Sequence, residues 1–268
     1  MRTAQHCPLQ MNQLSPLRGR RIAVTRPREQ SAGFVDLLES AGAEVLRTPL
    51  IQIVPAADPE PLREAARQIG GFDWIIFTSA NGVESFWDAV AQQGVETAFL
   101  RAAICAIGPS TAEAITARGG IPRRTAAVHT AEGIVDALED VDLAGKRILL
   151  PQADGARESL APSLRGRGAN VVQIEAYRTV ADRTSVPSLE DALNQGRVDM
   201  VTFTSGSAVR SFVENVGPPP ASIAFASIGP ITSAVARELG LQVEVEAKVY
   251  SVEGLTEAIL LYYSGRGQ

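Results

Sequence analysis

The sequence predicts an α/β protein of two similar domains, each a parallel sheet flanked by helices, and three observations carry that prediction. The chain repeats itself: FDWIIFTSANGVESF at 72–86 and VDMVTFTSGSAVRSF at 198–212 share seven identities in fifteen positions at an offset of 126. Short β-rich runs alternate with segments of helical spacing, the pattern of parallel sheets covered on both faces. The runs WIIF and VTF are continuously apolar, as strands buried on both sides are.

In chain order, residues 1–17 (MRTAQHCPLQMNQLSPL) lack a continuous apolar stretch and read as a flexible tail rather than an export signal. RIAVT at 21–25 is the first strand, and Phe34, Leu37, Leu38 and Ala41 then recur at helical spacing. AEVLR at 43–47 and DWIIFT at 73–78 are further strands, matched in the second copy by KRILL at 146–150, ANVVQI at 169–174 and DMVTFT at 199–204. GRRI at 19 pairs with GKRI at 145. At an offset of 121, AICAIGPST at 103–111 matches AFASIGPIT at 224–232, and AEGIVDAL at 131–138 matches VEGLTEAI at 252–259. Two flavodoxin-like domains follow. PLIQIVP at 49–55 and AYRTVAD at 176–182 are extended and hold similar places in the two copies; spacing alone leaves open whether they cross between domains as a pair.

With 268 residues, of which 45% are hydrophobic, the chain has enough for one large core or two modest ones. Twenty-five basic against thirty acidic residues give a net charge of −5, without the basic stripe of a nucleic-acid binder. No apolar run approaches the roughly 20 residues that span a bilayer. The two cysteines, Cys7 and Cys105, form neither a disulfide framework nor a thiolate metal site, which fits a reducing, cytoplasmic compartment.

Candidate binding chemistry gathers on duplicated loops. After Phe77 and Phe203 the chain enters a helix through Thr78, Ser79 and Asn81, or through Thr204, Ser205 and Ser207. Gly108, Ser110 and Thr111, and in the second copy Gly229 and Thr232, lie on Gly-Pro turns after another strand, and Thr130 and Ser251 open a third helix. Hydroxyls at helix starts are capping groups, glycine lets backbone approach closely, and proline suits the first helical turn. In a doubly wound sheet these loops meet at the carboxyl edge, where ligands bind and helix N-termini favour anions. Any one such loop is ordinary capping; the matched set points to a ligand. Other chemistries are absent from the sequence. The first strand runs into Thr25-Arg26-Pro27 rather than a dinucleotide glycine fingerprint, and neither a P-loop nor a Gly-x-Ser-x-Gly elbow occurs. His6 and His129 are too few and too scattered for a histidine metal site.

Thr25-Arg26-Pro27, FTSANGV at 77–83, AIGPST at 106–111, the Ala153–Glu158 run, AYRT at 176–179, FTSGSAV at 203–209 and SIGPIT at 227–232, in that order, resemble uroporphyrinogen-III synthase over about residues 18–260. That resemblance implies domains of 1–49 plus 181–268 and of 52–177, joined by a two-stranded connector near 49–55 and 176–182, with the active site in the cleft between them. It implies a monomer that uses no metal or organic cofactor and binds hydroxymethylbilane, a linear tetrapyrrole with an acetate and a propionate on each ring. A transient contact with the preceding pathway enzyme fits the same picture.

The implied reaction is cyclisation with loss of water and inversion of the last pyrrole. Tyr177 matches the family's tyrosine near the second connector and is the candidate proton donor to the leaving hydroxyl, its ordinary pKa near 10 keeping it protonated. A tyrosine there could also serve only to pack its ring. Thr111 and Thr232 match hydroxyl residues of the family's Gly-Pro loops, whereas Ile231 departs from the hydroxyl that some members carry. Arg26 and Arg157 are candidate partners for substrate carboxylates. A non-catalytic tetrapyrrole or anionic-ligand binder on the same fold is the alternative reading, less favoured because Tyr177 is retained; a bilobal receptor of the exported type is disfavoured by the absent export signal.

Overall fold

The structure, a computed structural model, describes residues 15–94, 101–155 and 159–265. Its first half runs Arg21–Val24 (β1), Ala32–Ser40 (α1), Glu44–Arg47 (β2), Ile51–Pro55 (β3), Glu60–Arg67 (α2), Trp74–Phe77 (β4), Ala80–Gln92 (α3), Ala103–Ala106 (β5), Pro109–Ala117 (α4), Pro122–Thr125 (β6) and Ala131–Ala137 (α5). The second half repeats the series as Arg147–Ala153 (β7), Leu160–Gly166 (α6), Asn170–Ala181 (β8), Val186–Asn194 (α7), Met200–Phe203 (β9), Gly206–Asn215 (α8), Ala224–Ser227 (β10), Pro230–Glu238 (α9), Val245–Glu246 (β11) and Val252–Ser264 (α10). No helix among the described residues is long and apolar enough to cross a membrane.

Two compact units result, one running up to Gln52 and resuming at Ala181, the other Ile53–Val180. The first holds a five-stranded sheet in the order β11-β10-β9-β1-β2, and the second lies on a six-stranded sheet in the order β3-β8-β7-β4-β5-β6. The strand pairings β1·β2, β1·β9, β9·β10 and β10·β11 are parallel, as are β7·β8, β4·β7, β4·β5 and β5·β6. This is the doubly wound arrangement the alternation predicts, with the order reversing between β1 and β9 and between β7 and β4.

Repeat and unit do not coincide. β1 and β2 of the first copy share a sheet with β9, β10 and β11 of the second, while β7 and β8 of the second share one with β4, β5 and β6 of the first. The register is the same at both junctions: Ile22 lies opposite Met200, and their counterparts Ile148 and Trp74 lie opposite each other. A duplicated polar contact marks each junction. The backbone N–H of Arg21 donates to Asp199 Oδ2 at 2.8 Å and its guanidinium to both carboxylate oxygens, and the N–H of Arg147, 126 residues on, donates to Asp73 Oδ2 at 2.8 Å. Aromatic trios fill the cores beneath, Phe77, Phe86 and Trp87 in one unit and Phe203, Phe212 and Phe225 in the other.

Two expectations need correction. Leu17, expected in a flexible tail, is instead fully buried among Phe34, Leu38 and Ile22, and its N–H donates to the Ala41 carbonyl, because burying one leucine offsets the ordering of a short turn. NVVQI and AYRTVA, read as parts of separate segments, belong with Glu175 between them to one twelve-residue strand, β8. His6 and Cys7 lie outside the described residues.

Burial by itself would raise the Asp199 carboxyl, but the bonds from Arg21 outweigh it and hold the group below the ordinary carboxylate range. A carboxyl depressed in the folded state contributes its full stabilisation above its unfolded pKa of about 4, and that contribution is lost as pH falls from there through the lower folded-state value. Asp199→Asn is therefore expected to melt at a lower temperature than the parent at pH 7, with the gap narrowing by pH 3, as thermal denaturation across that range would show.

Candidate functional site

In the second unit β4, β5 and β6 each end in a loop that opens a helix at the carboxyl edge of the sheet. Ser79 caps α3, its hydroxyl accepting from Gly82 N–H at 3.0 Å, and Thr130 caps α5 through Gly133 N–H at 3.2 Å. The other unit repeats both: Ser205 accepts from Ala208 N–H and caps α8, and Ser251 accepts from Gly254 N–H and caps α10, each at 3.2 Å. The Gly-Pro loops differ, since neither Gly108 at α4 nor Gly229 at α9 supplies a side-chain cap. Without a side-chain cap, the first turns there are suited to an external acceptor.

Tyr177 stands on this edge. Residues of β7 and β8 pair one to one as far as Gln152 and Glu175, and then Ala153 pairs with Tyr177, so Ala176 is the extra residue of a bulge. Alternation breaks there, and Ala176 and Tyr177 are both buried, the tyrosine 7% exposed among Phe77, Val83 and Phe86. The bulge turns the phenol toward the α3 cap, with Tyr177 OH 3.0 Å from Ser79 Oγ. Burial raises the phenol above its ordinary pKa, and hydrogen bonds with Ser79 and Asn81 pull the other way without cancelling it. It is a protonated, polar-tipped ring in an apolar wall. The thiol of buried Cys105, beneath the Gly108 loop on β5, is pushed up to about 12 by burial and is chemically quiet.

In the other unit Arg26 follows β1, with Pro27 behind it. Burial lowers its pKa, the Glu253 carboxylate at the start of α10 opposes this, and its Nε is buried without a hydrogen-bond partner. Its counterpart in the second copy is Gln152, a buried amide that accepts from Gln173. Thr78, Asn81 and Thr204 are half-buried at the loop mouths, and Ser110 and Ser207 are exposed. Thr111 and Thr232 turn inward instead, 2% and 5% exposed, and so support their loops from below. Arg157 lies outside the described residues.

Sequence reasoning missed two features. His129 packs its ring on Gly108, where an added Cβ would stand 2.9 Å from the imidazole, and Tyr250 packs on Gly229 in the same way, also at 2.9 Å. Each glycine thus admits a flat ring from the neighbouring loop, a signal available in the matched positions 129 and 250. The bulge at Ala176 left no local signal, because it depends on pairing with β7.

These doubly wound units and their connectivity define an α/β fold found in solved uroporphyrinogen III synthases. A mutant of the enzyme from Thermus thermophilus matches with a TM-score of 0.64 at 22% identity, over 92% of this chain and 99% of that one. The enzyme from Helicobacter pylori matches at 0.58 and 20%, over 91% and 99%. The chain belongs to the uroporphyrinogen-III synthase family, enzymes of tetrapyrrole synthesis: residues 32–257 match the family profile described as uroporphyrinogen-III synthase HemD, and the uroporphyrinogen-III synthase of Synechococcus elongatus is 36% identical over 253 residues, 91% of this chain and 96% of that protein.

Gly133 and Gly254 hold the third loop of each set against its helix, since a Cβ on either would overlap the carbonyl oxygen of Val128 or Val249. Gly133→Ala is expected to push that loop away and to destabilise the protein by about 2–3 kcal/mol. Chemical denaturation would measure this, and Gly254→Ala would show the same loss.

Proposed function

We propose that this chain cyclises hydroxymethylbilane to uroporphyrinogen III, with Tyr177 as the general acid. The observation that carries the reading is the buried Tyr177 phenol, turned by a strand bulge onto the loop-bearing edge and hydrogen-bonded there to Ser79. Family membership supports the substrate. Tyr177 protonates the terminal hydroxyl of the bilane; the C–O bond breaks with release of water as the electron pair of the adjacent pyrrole closes an azafulvene. The substituted carbon of the last pyrrole attacks the far end of the chain to give a spirocycle, which fragments and recloses with that ring inverted. A proton lost from the reacting pyrrole carbon returns to the phenolate, so the net change is loss of one water. The sequence is redox-neutral and asks of the protein a proton donor and a fixed substrate shape.

For the substrate's carboxylates we assign the uncapped first turns at Gly108-Pro109-Ser110 and Gly229-Pro230, the half-buried Thr78, Asn81 and Thr204, the exposed Ser207, and the Arg26 guanidinium. Ser205 is assigned with them through the backbone of its loop, and Thr111 and Thr232 through loop support. Arg157 is kept as a carboxylate partner from the sequence pattern alone. Donors of this kind let an acidic chain, net −5, take up a polyanion.

A coupled assay with hydroxymethylbilane that separates the ring isomers tests the reading. Spontaneous closure yields the uninverted type I isomer, so an excess of type III is expected with the protein and its absence would refute the activity. Tyr177→Phe keeps the ring and removes the acid; turnover is expected to fall by roughly 10²–10⁴ with little change in KM, whereas full turnover would make the tyrosine a packing residue. Arg26→Ala is expected to weaken substrate binding by about 1–2 kcal/mol, because one charge-assisted contact among many is lost. Titration of the bilane against the Tyr177→Phe background would read that directly.

A further inference from the structure

The two copies share their caps but not their chemistry at one position. Ser79 and Ser205 are equivalent, and each accepts an N–H from the first turn of its helix. Opposite Ser79 stands Tyr177; the matching stretch in the first copy is Leu50-Ile51, both buried and packed with Phe203 and Val209 in the other core. The fold is therefore complete without a hydroxyl at this point, and the Ser79–Tyr177 pair is an addition to one unit only.

Ser79 Oγ is fixed by the Gly82 N–H it accepts, which leaves its own hydrogen free to point at the phenol oxygen 3.0 Å away. We propose that Ser79 is a positioning residue for the reaction, donating to the Tyr177 oxygen so that the phenol hydrogen faces the substrate and the developing phenolate is held by a chain running from Gly82 N–H through Ser79 to Tyr177. The chain ends on the positive N-terminus of α3, where negative charge is favoured. Asn81, in the same turn, is the other polar partner.

Charged groups on neighbouring elements are engaged elsewhere. Glu84 of α3 pairs with Arg118, Glu175 of β8 accepts from Ala57 N–H and pairs with Arg178, and Asp154, just past β7, is exposed. The protonation of Tyr177 is thus governed by burial and by its two neutral partners.

The inference rests on Tyr177 as the acid, and one readout is independent of activity. Ser79→Ala is expected to lower kcat about tenfold with KM within about twofold, as loss of support for a general acid should, and to move the alkaline limb of the rate profile to higher pH. The phenol of Tyr177, followed by ultraviolet difference against Tyr177→Phe, is expected to titrate at higher pH in Ser79→Ala, since a bond that favours the phenolate is gone while burial remains. Ser79→Thr, which keeps the hydroxyl, restores both. Asp73→Asn, which weakens the Arg147 contact at the amino end of β4 in the same unit, is expected to lower the melting temperature alone. An unmoved phenol in Ser79→Ala, or a loss confined to melting temperature as in Asp73→Asn, would overturn the inference and leave Tyr177 as the acid. Full turnover of Tyr177→Phe would instead remove the acid itself, and with it the role given to Ser79.

Discussion

Strand exchange between the two copies is the constraint on which everything else in this molecule depends. The first strand of each copy pairs with the strand before the Phe-Thr-Ser loop of the other, β1 with β9 and β7 with β4, in the same register. Neither copy alone can complete a sheet, because its first two strands and its last three belong to different units. The Arg21–Asp199 and Arg147–Asp73 contacts sit at those two junctions and satisfy strand-end N–H groups that the ladder itself leaves unpaired. Local sequence similarity marks the copies, and non-local pairing makes the domains.

Exchange also determines which loops share an edge. Tyr177 belongs to the second copy and Ser79 to the first, yet both lie in the unit built on Ile53–Val180. Arg26 and Glu253 come from opposite ends of the chain and influence each other's protonation in the other unit. The duplication has kept what a helix start requires and varied the rest. Ser79 and Ser205 cap in the same way, Thr130 and Ser251 likewise, and Gly133 and Gly254 admit the same carbonyl approach. Tyr177 corresponds to the apolar Leu50-Ile51 stretch of the other copy, Arg26 to Gln152, and His129 to Tyr250. Capping is demanded by unsatisfied backbone donors, so both copies retain it; a phenol or guanidinium is demanded by nothing in the fold.

The helix starts divide into two kinds with different uses. Serine and threonine caps consume a first-turn donor, whereas the Gly-Pro starts of α4 and α9 carry no side-chain cap and suit an outside acceptor. Close backbone approach at these glycines is secured by the rings of His129 and Tyr250 rather than by a local turn. Thr111 and Thr232, polar residues one turn in, are drawn beneath the surface by the helix itself: a residue three positions after the cap points back over the first turn into the core.

By itself the sequence determined the alternation of strands and helices, the apolar central strands, the duplicated loops and the family, because each of these rests on spacing within a short window or on ordered motifs. Hydrophobic periodicity placed β1, β2, β4 and β9 within a residue or so of where they lie, and the start of β7, which runs three residues past Leu150, since burial on both faces leaves a strand little freedom in composition. Tertiary structure alone decided that Leu17 joins a core and that β8 runs unbroken with a bulge at Ala176. It also decided that Tyr177 meets Ser79. Those features depend on partners 24 to 98 residues away, from the Leu17–Ala41 bond to the Ser79–Tyr177 pair. No local pattern encodes such partners, because a side chain's direction on a bulged strand is set by the strand beside it.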